Sequence, residues 1–510
     1  MKALLMYPER DFDLKEDLPR HASSVTQDLE LDTLVNAMAG GDDFLLEVAR
    51  KGIFSGQRAD VATVLYRQAI LRDCLKSPAV VRGLYDITLE MIEGRKKNYL
   101  GFFMHYPAGI LSGSIGMLQM LVGLLKKLRA VADEQAGRFE SPGFTTMLAM
   151  LQKEFSDEYF LTIQDHLKAL KFNGGVLLSA ALGPGNEGVD HVLRQENEGG
   201  ASWLTRLLGK GPPAYTFRIA DRDQAGAKAL SELQDRGINL VANALAQSTD
   251  HIVSFFDMLR AELGFYVGCL NLHDRFASRD VPVCFPVPAP ASTRCHRFSA
   301  LRDACLVLSM EQAVTGNTVD AQGKNLVVIT GANTGGKSTF LRSIGVAQMM
   351  MQCGMFVVAE SFEANLCSGL FTHYKREEDA TMRSGKFDEE IDRLSGLADV
   401  LTPDSMVLFN ESFASTNERE GSEIARETTC ALLERRIKVF FVTHQYEFAH
   451  GMFERNMQDA LFLRAERQED GTRTFRLNEG EPLATSYGED LYRDVFERNA
   501  PQAEIGVVET

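Results

Sequence analysis

Tryptophan occurs once in 510 residues, at Trp203, and the eight cysteines (Cys74, Cys269, Cys284, Cys295, Cys305, Cys353, Cys367 and Cys430) never stand in C-x-x-C spacing. No Cys/His cluster repeats a zinc-site pattern, so a zinc-ribbon or disulfide-stapled scaffold is excluded. Scattered through so long a chain, the cysteines read as small buried hydrophobes in a reducing compartment. The N-terminal segment MKALLMYPERDFD has too short an apolar run for a secretory signal. Positive charge is also outnumbered: 54 Lys plus Arg stand against 70 Asp plus Glu, a net charge of −16. That balance argues against coating nucleic acid through bulk charge, although it leaves room for a local basic track. No internal repeat of 20–50 residues is evident. What is present is ordinary for globular proteins, with 45% hydrophobic and 24% charged residues. A disordered chain is therefore excluded, and ~150 residues per domain suggests about three domains.

Residues 98–125 carry no formal charge, which raises the possibility of a lipid-exposed helix. The run also contains Pro107, five glycines, two serines, His105 and Gln119. A buried helix or hairpin is the preferred reading, and the cytoplasm is the expected location, with no membrane partner.

The first ~290 residues have mainly helical periodicity, with apolar residues spaced at three and four and charges between. The pattern is plain over Phe44–Leu75, Val80–Ile92, Phe144–Leu170 and Ala227–Leu263. Two stretches break it. Asn173–Gly188 is a strand-like run between glycine-rich turns, and Gly199–Gly226 carries Pro212, Pro213 and an alternating Tyr215–Ile219 segment. These suggest a small β-containing insert at about 172–226. Residues 282–293 hold four prolines in twelve positions, a linker signal that predicts a domain boundary near 290. Beyond it, apolar runs at 325–330, 406–409 and 439–442 alternate with helical stretches. Residues 291–510 are thus expected to form an α/β domain with a parallel sheet.

The strongest signal is LVVITGANTGGKSTFLRSIG. A predicted buried strand at 326–330 runs into Gly331-Ala332-Asn333-Thr334-Gly335-Gly336-Lys337-Ser338-Thr339 and then into a helix. This satisfies G-x-x-x-x-G-K-[ST] in the strand–loop–helix context that the motif requires. Glycines let backbone N–H groups turn toward phosphate oxygens, and the helix N-terminus adds partial positive charge. Lys337 supplies a full charge at the β/γ phosphates, and Ser338 a hydroxyl for Mg²⁺. Downstream, Met406–Phe409 leads into Asn410-Glu411. P-loop ATPases usually carry Asp then Glu at such a strand end, for the metal's water shell and the attacking water. Asn410 can bond a metal-bound water but brings no charge, whereas Glu411 keeps the water-positioning role. A third strand ends in Thr443-His444. His444 could contact the γ-phosphate or the attacking water, or stand as an ordinary surface histidine.

Together these motifs resemble the ATPase domain of the MutS family of DNA mismatch-repair proteins. GANTGGKST resembles the family's G-P-N-M-G-G-K-S-T loop, sharing Asn333 and the paired Gly335-Gly336. Phe441–Phe448 resembles its A-T-H-Y-x-E-L segment, and Thr485–Gly488 its late S-Y-G motif. Val314–Val319 lies where the family approaches the phosphate-loop strand. The resemblance is good over about 295–495 and extends weakly into the helical part, which is similar to the family's core, lever and clamp. Several positions depart from it. Asn410 stands where the family has Asp. Ser412–Gly421 (SFASTNEREG) replaces I-G-R-G-T-S-T-x-D-G. Alignment of Glu378-Asp379, Phe387 and Glu390 puts Gly385 where the family has a serine that reaches across a dimer, with Ser384 beside it. No N-terminal F-x-E wedge is found, so the resemblance is to a shortened relative without the mismatch-recognition and connector domains.

The resemblance implies a mixed fold: a mainly α-helical core, lever and clamp over 1–290, with an insert about 172–226, followed by an α/β P-loop ATPase domain over 291–510. It implies ATP and Mg²⁺ as cofactors. Nucleotide would be held by residues 331–339, Mg²⁺ by Ser338 with Asn410 and Glu411, and hydrolysis would be assisted by Glu411 and His444. It implies a homodimer with composite ATP sites that clamps duplex or branched DNA. Arg95-Lys96-Lys97 and the Arg206, Lys210, Arg218, Arg222 group are candidate DNA contacts, or solvated charged faces; Trp203 reads as packing. The alternative is a slow or inactive nucleotide-gated scaffold that engages protein or ribonucleoprotein partners such as the ribosome. No L-S-G-G-Q-like signature favours a transporter-like or chromosome-organising ATPase.

Overall fold

The computed structural model describes residues 1–98, 106–172, 175–194, 216, 218–220, 222–376, 385–468 and 471–484. The early part of the chain is helical: α1 (Ala22–Asp28), α2 (Leu31–Ala39), α3 (Asp43–Ser55), α4 (Val61–Lys76), α5 (Pro78–Asn98), α6 (Pro107–Gln135), α7 (Pro142–Glu154) and α8 (Asp157–Ala169). An antiparallel hairpin, β1 (Leu178–Leu182) and β2 (Gly188–Leu193), falls within the expected insert. A 54-residue helix, α9 (Gln224–Ala277), follows. The described part of Tyr215–Ile219 contains no strand.

Local chemistry sets the breaks. The Phe44–Leu75 pattern is two helices because Gly56–Arg58 tightens into a 3₁₀ turn and the Asp60 carboxylate then accepts from Thr63 N, starting α4. Likewise Phe144–Leu170 divides where the Ser156 hydroxyl accepts from Tyr159 N at the start of α8. In α6, Pro107 occupies the first turn, and Leu111, Ile115, Leu118, Val122 and Leu125 form one buried stripe. By length and composition the helix 107–138 could cross a membrane, but more than half of its most apolar window is buried within the protein.

The chain forms two compact units. One comprises Met1–Ala3, Ala79–Phe139 and Phe144–Arg260; the other comprises Leu4–Pro78, Glu140–Gly143 and Ala261–Thr510. The second unit contains two sheets. Its smaller sheet has the order β3-β7-β4-β5, from β3 (Val287–Ala289), β4 (His296–Leu301), β5 (Asn317–Asp320) and β7 (Ser361–Asn365). The proline-rich segment 282–293 therefore contributes a strand. β3 tolerates Pro288 because it lies at the edge of its sheet, where a missing N–H breaks no interior ladder.

The larger sheet has the order β12-β11-β6-β10-β9-β8. Its strands are β6 (Leu326–Gly331), β8 (Leu370–Tyr374), β9 (Met406–Asn410), β10 (Lys438–Val442), β11 (Ala460–Arg467) and β12 (Arg473–Glu479). All pair in parallel except β12, which runs antiparallel to β11. Strands β6, β9 and β10 match the three apolar runs of the sequence. They are apolar on both faces because both faces are covered, as parallel sheets require. Val328, Val407, Phe409, Val439 and Phe441 build the core with Phe413, Phe448 and Met452. Each such side chain contributes about 1.5–3 kcal/mol by leaving water. Helix α10 (Ala304–Ser309) precedes β5. Helices α11 (Lys337–Gln352), α12 (Lys386–Ala398), α13 (Glu418–Glu434) and α14 (Tyr446–Glu454) alternate with the later strands.

Candidate functional site

The parallel strands deliver three loops to one edge of the larger sheet. Register places Val442 of β10 opposite both Ile329 of β6 and Asn410 of β9, so residues 331–339, Asn410-Glu411 and Thr443-His444 converge there. Carboxyl ends of parallel strands are where open α/β sheets form binding crevices.

The loop between β6 and α11 depends on glycine at two points. Gly331 has φ +110°, and a Cβ there would stand 2.8 Å from Ala465 N. Gly336, at φ +84°, is the N-cap of α11. Lys337 folds back on this loop, its Nζ donating to Gly331 O at 3.1 Å and Ala332 O at 2.8 Å. Burial pushes the Lys337 pKa down to about 8; the nearby Arg473 adds to this, while Glu411 opposes it. Ser338 Oγ donates to Asn410 Oδ1 at 3.0 Å. Arg473 Nε reaches Asn333 O at 3.4 Å.

Glu411 and His444 form a pair, with Nε2 2.6 Å from Oε1. The hydrogen bond from His444 holds the Glu411 carboxyl below its ordinary range against the effect of burial, helped by the charges of His444, Lys337 and Lys375. Glu411 N donates to Val442 O at 2.9 Å, tying the end of β9 to β10.

Residues 333–339, Glu411 and His444 line a cavity of about 470 Å³. Its lining also includes the apolar side chains of Leu301, Leu306, Met310, Val314, Phe340 and Phe475, of which Phe475 lies against Gly336 of the loop. Phe475 is half exposed. Asn317 grips its strand, Nδ2 donating to Phe475 O at 3.2 Å and Oδ1 accepting from Leu477 N at 2.9 Å. Sequence reasoning missed Phe475, because only the pairing of β12 with β11 brings it beside the loop. A glycine-lined loop beside apolar side chains and a half-exposed ring suits a ligand with phosphate and aromatic parts.

Among the described residues no cluster of three or more His, Cys, Asp or Glu could hold a metal ion. At the strand ends beside the loop, the Ser338 hydroxyl bonded to the Asn410 amide oxygen and the Glu411 carboxylate are oxygen donors that could hold a metal ion.

The described candidate nucleic-acid contacts belong to the first compact unit, and this site belongs to the second. Arg95 is ion-paired with Asp257 at 3.1 Å. Lys96 and Lys97 are exposed in the last turn of α5, where cations offset the helix dipole. Arg218 and Arg222 are exposed. Trp203, Arg206, Lys210, Glu378, Asp379, Ser384 and Thr485–Gly488 lie outside the described residues. Gly385 is the exposed N-cap of α12.

Fold and site define a class: mixed α/β proteins carrying a glycine-rich phosphate-loop sequence at the carboxyl edge of a parallel sheet. Residues 59–279 match the MutS2 N-terminal domain model, and residues 327–493 match the MutS domain V model. Among curated proteins, MutS protein homolog 4 of Mus musculus is 31% identical over 159 residues, 31% of this chain and 16% of that protein. DNA mismatch repair protein MutS of Leptospira interrogans is 27% identical over 224 residues, 43% of this chain and 26% of that protein. The MutS of Thermus thermophilus is 31% identical over 166 residues, 32% of this chain and 20% of that protein. The chain belongs to the MutS family. Its matches span between 16% and 26% of the length of these relatives.

Proposed function

We propose that the protein is a Mg²⁺-dependent ATPase that works as a homodimeric, nucleotide-gated DNA clamp in the cytoplasm. The observation that carries this reading is the convergence of Ser338, itself bonded to Asn410, and of the Glu411–His444 pair on one cavity beside the phosphate loop. The glycine-rich loop and Lys337 hold the triphosphate; Lys337 leaves its loop carbonyls to do so. Phe475 and Val314 flank the base. Ser338, Asn410 and Glu411 would hold Mg²⁺, and the first two are already hydrogen-bonded to each other. When bound, the ion supplies charge neutralisation at the β/γ phosphates. Glu411 orients the attacking water, and His444 fixes the carboxylate and senses the γ-phosphate.

The match of residues 59–279 to the MutS2 N-terminal domain supports reading the helical part as clamp machinery, not as a mismatch sensor. In this reading residues 1–290, with the insert at about 172–226, serve as core, lever and clamp. Residues 291–510 serve as the ATPase domain, and composite sites form between two copies. The names of the relatives, DNA mismatch repair protein MutS and MutS protein homolog 4, support DNA as the partner.

A second reading is a slow nucleotide-gated scaffold for protein or ribosomal partners. The uncharged Asn410 favours it, as does the −16 charge. ATP turnover measured with and without duplex, forked and four-way DNA separates the two, with Lys337→Ala as blank. Turnover that depends on Lys337 and responds to DNA supports the clamp. Tight ATP binding without turnover or DNA response overturns it in favour of the scaffold.

A further inference from the structure

Next to the Glu411–His444 pair the chain makes a turn that side-chain-bearing residues rarely adopt. Glu411 has φ +53° and Phe413 φ +65°, so two non-glycine residues in three are left-handed. Such a turn persists only if its surroundings over-determine it. Three elements do so. From α12, the Glu390 carboxylate accepts from Phe413 N at 2.6 Å. Just after β10, Gln445, the neighbour of His444, donates from Nε2 to Phe413 O at 2.8 Å. From β8, His373 Nδ1 lies 2.8 Å from Ser412 Oγ, and the same hydroxyl lies 2.6 Å from His373 O. His373 Nε2 lies 3.1 Å from Glu390 O, and its ring stacks on Phe413 with centroids 5.7 Å apart. Glu390, Ser412, His373 and Phe413 are all buried.

The protons of this cluster have one consistent arrangement. Glu390 O can only accept, so His373 Nε2 carries a proton and donates to it. Burial pushes the imidazole down to about 4, so it is neutral and Nδ1 is an acceptor. The single Ser412 proton is then shared between His373 Nδ1 and His373 O. Ser412 is thereby latched to β8 on one side of Glu411, while Phe413 is latched at both its N–H and its carbonyl. The Gln445 latch shares its backbone with His444, so both members of the Glu411–His444 pair hang from one network.

We propose that Glu390, Gln445 and the His373–Ser412 latch are positioning residues for ATP hydrolysis: they hold the 411–413 turn and so aim Glu411 and His444 at the reacting phosphate. This rests on the ATPase reading above. None of the four reaches the cavity, so none should alter nucleotide affinity. A misplacement of about 1 Å at Glu411, by contrast, can cost on the order of 100-fold in rate.

The test compares wild type, Ser412→Ala, Glu390→Leu and Glu390→Gln. It reads the single-turnover hydrolysis rate of bound ATP, the affinity for a non-hydrolysable ATP analogue, and thermal unfolding. Ser412→Ala and Glu390→Leu should slow hydrolysis by about 10–100-fold and leave analogue affinity within about twofold. Glu390→Gln keeps an acceptor for Phe413 N and should restore the rate to within about threefold of wild type. Should Glu390→Leu fail to fold, Ser412→Ala, which removes one oxygen, carries the test. Unchanged rates overturn the proposal. So does a parallel fall of rate and affinity with no rescue by Gln, which would mark a merely structural cluster. Wild-type turnover equal to that of Lys337→Ala would instead sink the ATPase reading, and this proposal with it.

Discussion

The position of Lys337 has a consequence for pH. Its ammonium is buried against two carbonyls of its own loop, and its pKa lies near 8 instead of the ordinary 10.5. Bound phosphate would restore the charged form, so binding takes up a proton where the free lysine is neutral. Half a proton per nucleotide is expected at pH 8. Affinity should fall about tenfold between pH 7 and pH 9, on the order of 1.4 kcal/mol. Phosphate esters lose their last proton near pH 6, so the ligand does not titrate in this window. Folding carries the complementary sign. Between about 8 and 10.5 the unfolded chain binds more protons at this lysine than the folded one, so this residue makes stability rise with pH there. The assay is calorimetric titration with ADP at pH 7, 8 and 9 in two buffers of different ionisation enthalpy, which separates proton uptake from binding. A flat affinity with no proton uptake would refute the argument, and Lys337→Ala should be flat in any case.

Three further outcomes follow from other contacts. Asn410→Asp should lower the Mg²⁺ concentration needed for half-maximal turnover, because Ser338 would then donate to a carboxylate beside the metal position; an unchanged Mg²⁺ titration would show that the phosphates and Ser338 suffice. Glu262 is buried and accepts from the backbone N–H groups of Leu5 and Phe12, and burial lifts its carboxyl to about 7. The folded chain therefore binds more protons here between about 4.5 and 7, so this residue makes stability fall by on the order of 3 kcal/mol as pH rises through that window. Denaturant midpoints from pH 4.5 to 8 should lose this component in Glu262→Gln, and an unaltered slope would count against it. Gly421→Ala would set a Cβ 2.3 Å from Phe413 O and 2.4 Å from Gln445 Nε2. It should lower the unfolding free energy by about 1–3 kcal/mol in urea, together with the single-turnover rate. A variant as stable and active as wild type would mean that the turn yields.

The candidate site was legible where its residues follow local rules. The phosphate loop, Asn410-Glu411 and His444 each sit at the end of a short apolar run, and such runs become parallel strands whose ends share an edge. Phe475 belongs to no motif, and Glu390 and Gln445, although within family-like segments, give no local sign of the turn they hold. Strand order and register bring them in: β12 returns beside β11, and α12 crosses to the 411–413 turn. Phe413 conceals its turn, since a left-handed residue is expected to be glycine or asparagine and here is held by partners from three elements. The helical regions were legible from periodicity, but their breaks at 56–60 and 155–156 depended on a 3₁₀ turn and on capping by Asp60 and Ser156. Grouping was the least legible. Periodicity says that a residue faces a core, not which one, and residues 4–78 share a unit with the chain from 261 onward. The prolines at 282–290 signalled a linker because an edge strand and a linker make the same demand, no interior N–H.

The central claim is that the Glu411–His444 pair beside the phosphate loop hydrolyses ATP. Its most direct test is single-turnover hydrolysis by wild type and Glu411→Gln, with nucleotide affinity measured on the same samples. The account predicts equal affinity and a chemical step slowed by about 10²–10⁴-fold in the variant, the range for loss of a group that manages the attacking water. Equal rates in the two proteins would contradict it.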